Sequence, residues 1–204
     1  MSASEKIVLI GWGAIGKRVA ELLTERKSAA KIVAVAVRDK MIAREGLPAE
    51  ALLIEDPAEL ASIDASLAVE AAGRASVLPW GEVALSAGMD FVVSSTSAFV
   101  EDTIFQRLNE KAARNGTKLI IPPGALGGVD ALSAASRLSM QSVEHRIIKP
   151  AKAWAGTPAS QRVKLDEIKE ATVFFNGSAR EAADAFPQNA NVAVITSLAG
   201  VGLD

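Results

Sequence analysis

The sequence predicts an α/β chain, a doubly wound parallel sheet followed by a smaller α+β region. Three observations predict it: short apolar runs that stop at glycine or proline, amphipathic segments between them, and the end of that alternation near Gly124. The first run, 6–10 (KIVLI), is apolar without alternation, as expected of a strand buried on both faces. From 14 to 24, Ile15, Val19, Leu22 and Leu23 recur at helical spacing, with Lys17, Arg18, Glu21 and Glu25 opposite. A second strand spans 31–37, which completes a βαβ unit. A weak strand at 51–54 precedes a short helix with Asp56 as N-cap and Pro57 at its first position. A strand at 67–70, a helix at 77–87 closed by Gly88 and a strand at 91–94 follow. A helix at 101–115 capped by Gly116 and a strand at 118–121 complete the first domain, 1–124. The second domain, 125–204, is expected to hold a helix at 129–140, a strand at 143–149, an irregular loop at 151–158, a strand at 172–175, and helices at 179–186 and from Asn191 to 199.

Composition narrows the function classes. Half of the 204 residues are hydrophobic and the formal charge is −2, which supplies a core and disfavours a general nucleic-acid binder. No apolar run reaches the roughly 18 residues of a membrane span, and the start, MSASEKIVLIGWG, has no export-signal pattern. Cysteine is absent, so disulfides, thiolate catalysis and zinc–cysteine sites are excluded, and a cytoplasmic location is expected. A single histidine, His145, cannot build a His-rich metal site, and no metal is expected. Tyrosine is absent, so no phenol can serve as an acid.

The chemistry-bearing motif is Gly11-Trp-Gly-Ala-Ile-Gly16, a G-x-G-x-x-G between a buried strand and a helix, with a second strand following. In that context it is a dinucleotide fingerprint. Gly11 permits the tight turn, Gly13 lets backbone approach a pyrophosphate, and Gly16 lets the helix pack on the strand. The N–H groups of the helix start, at Ala14 and Ile15, then face the phosphates. Arg38 and Asp39 stand at the end of the second strand, 22 and 23 residues beyond Gly16. An acidic residue there favours the ribose hydroxyl of NAD and an arginine the 2′-phosphate of NADP, so the cofactor is NAD or NADP. Small residues at three further strand ends leave room for it: Glu70 to Gly73, with Ala72 and Gly73 as candidate contacts, Ser94 to Ser97, and Pro122 to Ala125. His145 reads as a packed or surface residue. Lys149 is a cation suited to a substrate carboxylate, or else a solvated lysine.

Five strings together resemble the L-aspartate dehydrogenase family: IGWGAIG at 10–16, VAVRD at 35–39, IIPPGALGGVDAL at 120–132, IKPAKAWAGTPA at 148–159, and FNGSAREAADAFPQNANVAVITSLAGVGLD at 175–204. The resemblance implies a Rossmann domain, then a substrate and dimerisation domain, hence a homodimer. It implies NAD- or NADP-linked interconversion of L-aspartate with iminoaspartate, and so with oxaloacetate and ammonia, in some members for NAD biosynthesis. It implies Ala125 and Asn191 as cofactor contacts, with Asn189 a nearby candidate for substrate. The family's catalytic histidine follows an Ala-Asp-Pro stretch, so the catalytic residue is expected beyond Asp204 and the second domain incomplete at its C-terminus. Two alternatives stand: a dinucleotide-binding module without turnover, and another two-domain enzyme such as a homoserine dehydrogenase, against which the NANVA and KPAKAW strings argue.

Overall fold

The computed structural model describes residues 5–187 and 190–204. It forms two compact units, 1–122 and 123–204.

The first unit is a six-stranded, all-parallel sheet in the order β3-β2-β1-β4-β5-β6. Its strands are β1 (Lys6–Ile10), β2 (Lys31–Ala36), β3 (Leu52–Ile54), β4 (Leu67–Glu70), β5 (Asp90–Val93) and β6 (Leu119–Ile120). Its helices are α1 (Ala14–Glu25), α2 (Arg74–Ser86) and α3 (Asp102–Asn115). The apolar runs are continuous because both faces are covered. Ile7, Leu9, Val35 and Val37 pack with Val19 and Leu23 of α1. On the other face Val8, Ala68 and Phe91 stand in register. There α2 approaches so closely that a Cβ on Gly81 would lie 2.6 Å from the Phe91 ring.

Parallel pairing brings the ends of β1, β2, β4 and β5 to one edge, where Ile10 pairs with both Ala36 and Glu70, and Glu70 with Val93. The strand order reverses between β1 and β4, and ligands of open α/β sheets bind at such a switch point. Helix α2 starts at Arg74, three residues earlier than the sequence suggests, because Gly73 adopts φ +136° as its N-cap and Pro79 is accommodated inside the helix. Gly116 closes α3 in the left-handed conformation, φ +67°. The expected short helix that Asp56 caps and Pro57 begins is a 3-10 turn, Pro57–Ser62, held by a capping box in which Asp56 and Glu59 each accept backbone N–H groups. Those N–H bonds hold the Glu59 carboxyl below the usual carboxylate range.

The second unit contains α4 (Val129–Ala135), α5 (Ala179–Ala185) and α6 (Asn191–Ala199). Two expected strands, 143–149 and 172–175, do not form: neither finds a partner ladder among the described residues, and Ile148 and Val173 are 84% and 83% exposed. A strand is stable as part of a ladder, and a mixed apolar pattern does not supply the partner. The helix expected to reach 140 ends at Ala135 and continues as a turn. The loop at 151–158 carries two 3-10 turns, Ala151–Trp154 and Pro158–Gln161. They deliver Trp154 and Ala159 into a small core with Phe186. No helix among the described residues is long and apolar enough to cross a membrane.

Candidate dinucleotide site

The turn after β1 assigns a different reason to each fingerprint glycine. Gly11 sits at φ +102°, and a Cβ there would lie 2.8 Å from the Ala71 carbonyl oxygen and the Ala72 Cα. It is both a conformational and a packing requirement. A Cβ on Gly16 would lie 2.3 Å from the Gly11 carbonyl oxygen, so α1 rests directly on the turn. Gly13 is the opposite case: nothing lies within 4 Å of its Cβ direction. It is the N-cap of α1, with no side-chain cap and no acidic residue in the first turn. The helix therefore offers uncapped N–H groups and the positive end of its dipole beside an open approach to the backbone. Those features fit a diphosphate. Ala14 and Ile15 open the helix on this exposed side.

The end of β2 lies beside this turn, since the Gly11 N–H donates to the Ala36 carbonyl at 2.9 Å. Arg38 is exposed, and among the described residues no hydrogen bond or ion pair engages its guanidinium. Asp39 is half-buried, and its Oδ1 accepts the Met41 N–H at 2.8 Å, which tightens the following loop. Arg44 closes that loop by donating to the carbonyls of Asp39 and Ile42 at 2.7 and 2.6 Å. The Trp12 indole N–H donates to the Glu45 carbonyl at 3.0 Å and joins the loop to the glycine turn. Sequence reasoning missed Arg44. Its signal was a third cation within six residues of Arg38, without a motif to mark it.

At the end of β4 the site holds a residue that was read only as part of a small-residue stretch. Glu70 is fully buried. Its Oε1 accepts the N–H groups of Ala72 and Gly73, at 2.8 and 2.7 Å, and the Ser95 hydroxyl at 2.9 Å. Its Oε2 accepts the Ser95 N–H at 2.9 Å. Ala72 and Gly73 are thus at the edge as expected, but their N–H groups face Glu70. Ala72 itself is exposed at this edge and Gly73 half-exposed. Thr96 and Ser97 are buried in the core, which leaves Ser94 and Ser95 half-exposed at the edge.

In the second unit Ala125 lies in a turn closed by the Leu126 N–H on the Pro123 carbonyl at 3.1 Å. A Cβ on the adjacent Gly124 would lie 3.9 Å from Cδ1 of Ile195, so this turn approaches α6, which Asn191 begins. Ala125 and Asn191 are therefore carried by neighbouring segments. Lys149 stands elsewhere in the unit, its Nζ 4.9 Å from the centre of the Trp154 ring. Asn189 lies outside the described residues. His145 is half-buried, with Nδ1 2.6 Å from the Thr196 hydroxyl, which itself donates to the Val192 carbonyl at 3.0 Å. One hydroxyl has one proton, so the arrangement assigns the other to Nδ1 of His145, in a packing role against α6. Arg146 pairs with Glu144 and holds that carboxyl below its usual range.

Comparison with known proteins agrees with this division into units. Residues 11–122 match the family described as homoserine dehydrogenase, NAD binding domain, and residues 130–204 match the family described as aspartate dehydrogenase, C-terminal. The chain is 76% identical over 204 residues to an L-aspartate dehydrogenase of Brucella anthropi, covering 100% of this chain and 76% of that protein. It is 42% identical to one from Pseudomonas aeruginosa and 40% identical to one from Cupriavidus necator, each covering 97% of this chain and 75% of the relative. Among solved structures, aspartate dehydrogenase from Thermotoga maritima aligns with a TM-score of 0.72 at 24% identity, covering 98% of this chain and 74% of that one. A Staphylococcus aureus homoserine dehydrogenase aligns over only 61% of this chain, with a TM-score of 0.51.

Proposed function

We infer the activity from one premise: the chain belongs to the L-aspartate dehydrogenase family. It is a nicotinamide-dependent oxidoreductase that acts on the CH–NH2 group of L-aspartate. The amino acid loses a hydride from Cα and a proton from nitrogen to give iminoaspartate, which water converts to oxaloacetate and ammonia. One observation carries the substrate assignment: the 76% identity extends over all 204 residues, the second unit as well as the dinucleotide unit.

Bound NAD or NADP supplies the hydride-accepting carbon. The residues of this chain bind and orient. In this reading the Gly11–Gly16 turn takes the diphosphate, with Gly13 as the point of closest approach and the N–H groups of Ala14 and Ile15 as donors. Asp39 and Arg38 take the adenosine ribose, the carboxylate suited to free hydroxyls and the guanidinium to a 2′-phosphate. Ala72 and Gly73 border the other half of the cofactor. Ala125 and Asn191 are proposed as further cofactor contacts, and Lys149 and Asn189 as substrate contacts, all four on the family resemblance. A homodimer in the cytoplasm belongs to the same reading. The absence of cysteine suits a reducing compartment, and light scattering measures the oligomeric state.

The direct test is reduction of NAD and of NADP followed by absorbance, with L-aspartate or L-homoserine as substrate. L-aspartate-dependent reduction is expected, and preference for L-homoserine would overturn the assignment. Cofactor choice has its own test. The unengaged guanidinium of Arg38 adds a charge-assisted contact for one cofactor only. Arg38→Ala is expected to weaken NADPH about tenfold while NADH changes by less than about twofold. Calorimetric titration of both cofactors checks it, and equal losses would remove Arg38 from the 2′-position.

A further inference from the structure

We propose that Glu70 is a positioning residue that shapes the part of the site receiving the nicotinamide riboside half of the cofactor. The proposal rests on the dinucleotide reading above and extends it to a residue that touches no ligand itself. Four donors converge on its two carboxylate oxygens: the N–H groups of Ala72, Gly73 and Ser95, and the Ser95 hydroxyl. These donors belong to two loops, one after β4 and one after β5, and 25 residues separate Ser95 from Glu70. The main chain of Glu70 holds the second loop as well, because its carbonyl accepts the Ser94 N–H at 3.2 Å. No cationic side chain pairs with Glu70 among the described residues. The group acts as a four-way acceptor that fixes two loop conformations from inside the protein.

Position turns that fixation into a role in binding. The loop at 71–73 presses against the glycine turn, since the Ala71 N–H donates to the Ile10 carbonyl at 2.8 Å and the Ala71 and Ala72 backbone limits Gly11 to a glycine. With the diphosphate on the glycine turn and the adenosine ribose at the end of β2, the rest of a dinucleotide crosses the switch point toward the ends of β4 and β5. Those ends carry the two loops that Glu70 holds. An amide cannot replace the carboxylate, because its NH2 group would face either the Ser95 N–H or the three donors on the other oxygen. A buried donor would then stand against a donor, a costly arrangement.

The test separates the two halves of the cofactor. Glu70→Gln, of nearly the same size, is titrated with NADH by fluorescence and with ADP by calorimetry, and its melting temperature is recorded. ADP carries the diphosphate and adenosine but no nicotinamide riboside. NADH affinity is expected to fall about tenfold, with ADP affinity within about twofold of wild type. Unchanged NADH affinity, or equal losses for NADH and ADP, would overturn the proposal, the second outcome marking a general lesion of the fold. Ser95→Ala removes one of the four donors and decides the matter should Glu70→Gln fail to fold. It is expected to weaken NADH about threefold with ADP unchanged, and equal NADH affinity overturns the proposal. A wild-type chain that binds neither ligand would overturn the dinucleotide reading itself, and this proposal with it.

Discussion

Gly13→Val is expected to lower NADH affinity by about a hundredfold or more, a loss near 2.7 kcal/mol, with a fall of only a few degrees in melting temperature, about 2–6 °C. Gly13 has φ −88° and ψ −164°, a conformation open to any residue, and nothing lies within 4 Å of a Cβ built on it. Valine therefore meets no protein atom at that Cβ, and the cost to the fold is about that of a poorer N-cap, roughly 1 kcal/mol. Its branched side chain instead fills the approach over the uncapped start of α1, where the reading places the diphosphate. Gly16→Ala is the contrasting control. Its Cβ would lie 2.3 Å from the Gly11 carbonyl oxygen, so backbone must move and stability must fall with binding. Fluorescence titration with NADH and thermal unfolding of both variants check the pair. Wild-type affinity in Gly13→Val would mean that no ligand approaches this turn.

Trp154→Ala is expected to destabilise the second unit by about 3–5 kcal/mol. Trp154 is only 6% exposed, and its ring makes edge contacts with Phe174 and Phe186 at centroid distances of 4.9 and 5.9 Å. Phe175 joins the cluster through Phe186 at 5.5 Å, and the Arg162 guanidinium lies 5.3 and 5.4 Å from the Phe175 and Phe186 rings. Lys149 loses its aromatic partner in the same variant. Small domains are stable by only about 5–15 kcal/mol, so the loss removes a large part of the total. Hydrogen exchange localises it: amides of α5, which leads into Phe186, are expected to lose protection while those of β1, β4 and β5 keep theirs. Uniform protection in wild type and variant would show that this aromatic cluster is not the unit's core.

The sequence by itself determined the fold of the first unit and the local geometry of the glycine turn. β1, the glycine turn and α1 are contiguous, and their signals are short-range: an apolar run, three glycines at fixed spacing, a helical periodicity. Because helices cover both faces of the sheet, each buried strand reads as unbroken apolarity, and α3 could be bounded at Gly116 from its C-terminal glycine alone. The position of Arg38 and Asp39 just past β2, which ends at Ala36, was legible for the same reason, since the apolar run stops there.

Tertiary structure decided whatever depends on partners distant in sequence. The apolar patterns at 143–149 and 172–175 suggested strands, yet neither pairs with a ladder among the described residues, and in the second stretch Phe174 and Phe175 join the Trp154 cluster instead. Arg44 acquired a place only when the loop after β2 folded back on Asp39 and Ile42. Glu70 is the clearest case. A glutamate ending an apolar strand carries no local sign of its use. Its four donors come from loops two to three residues and 25 residues away, and only the parallel pairing of β4 with β5 brings them to one carboxylate. A buried polar group is defined by the partners that satisfy it, and those partners exist only once the sheet has formed.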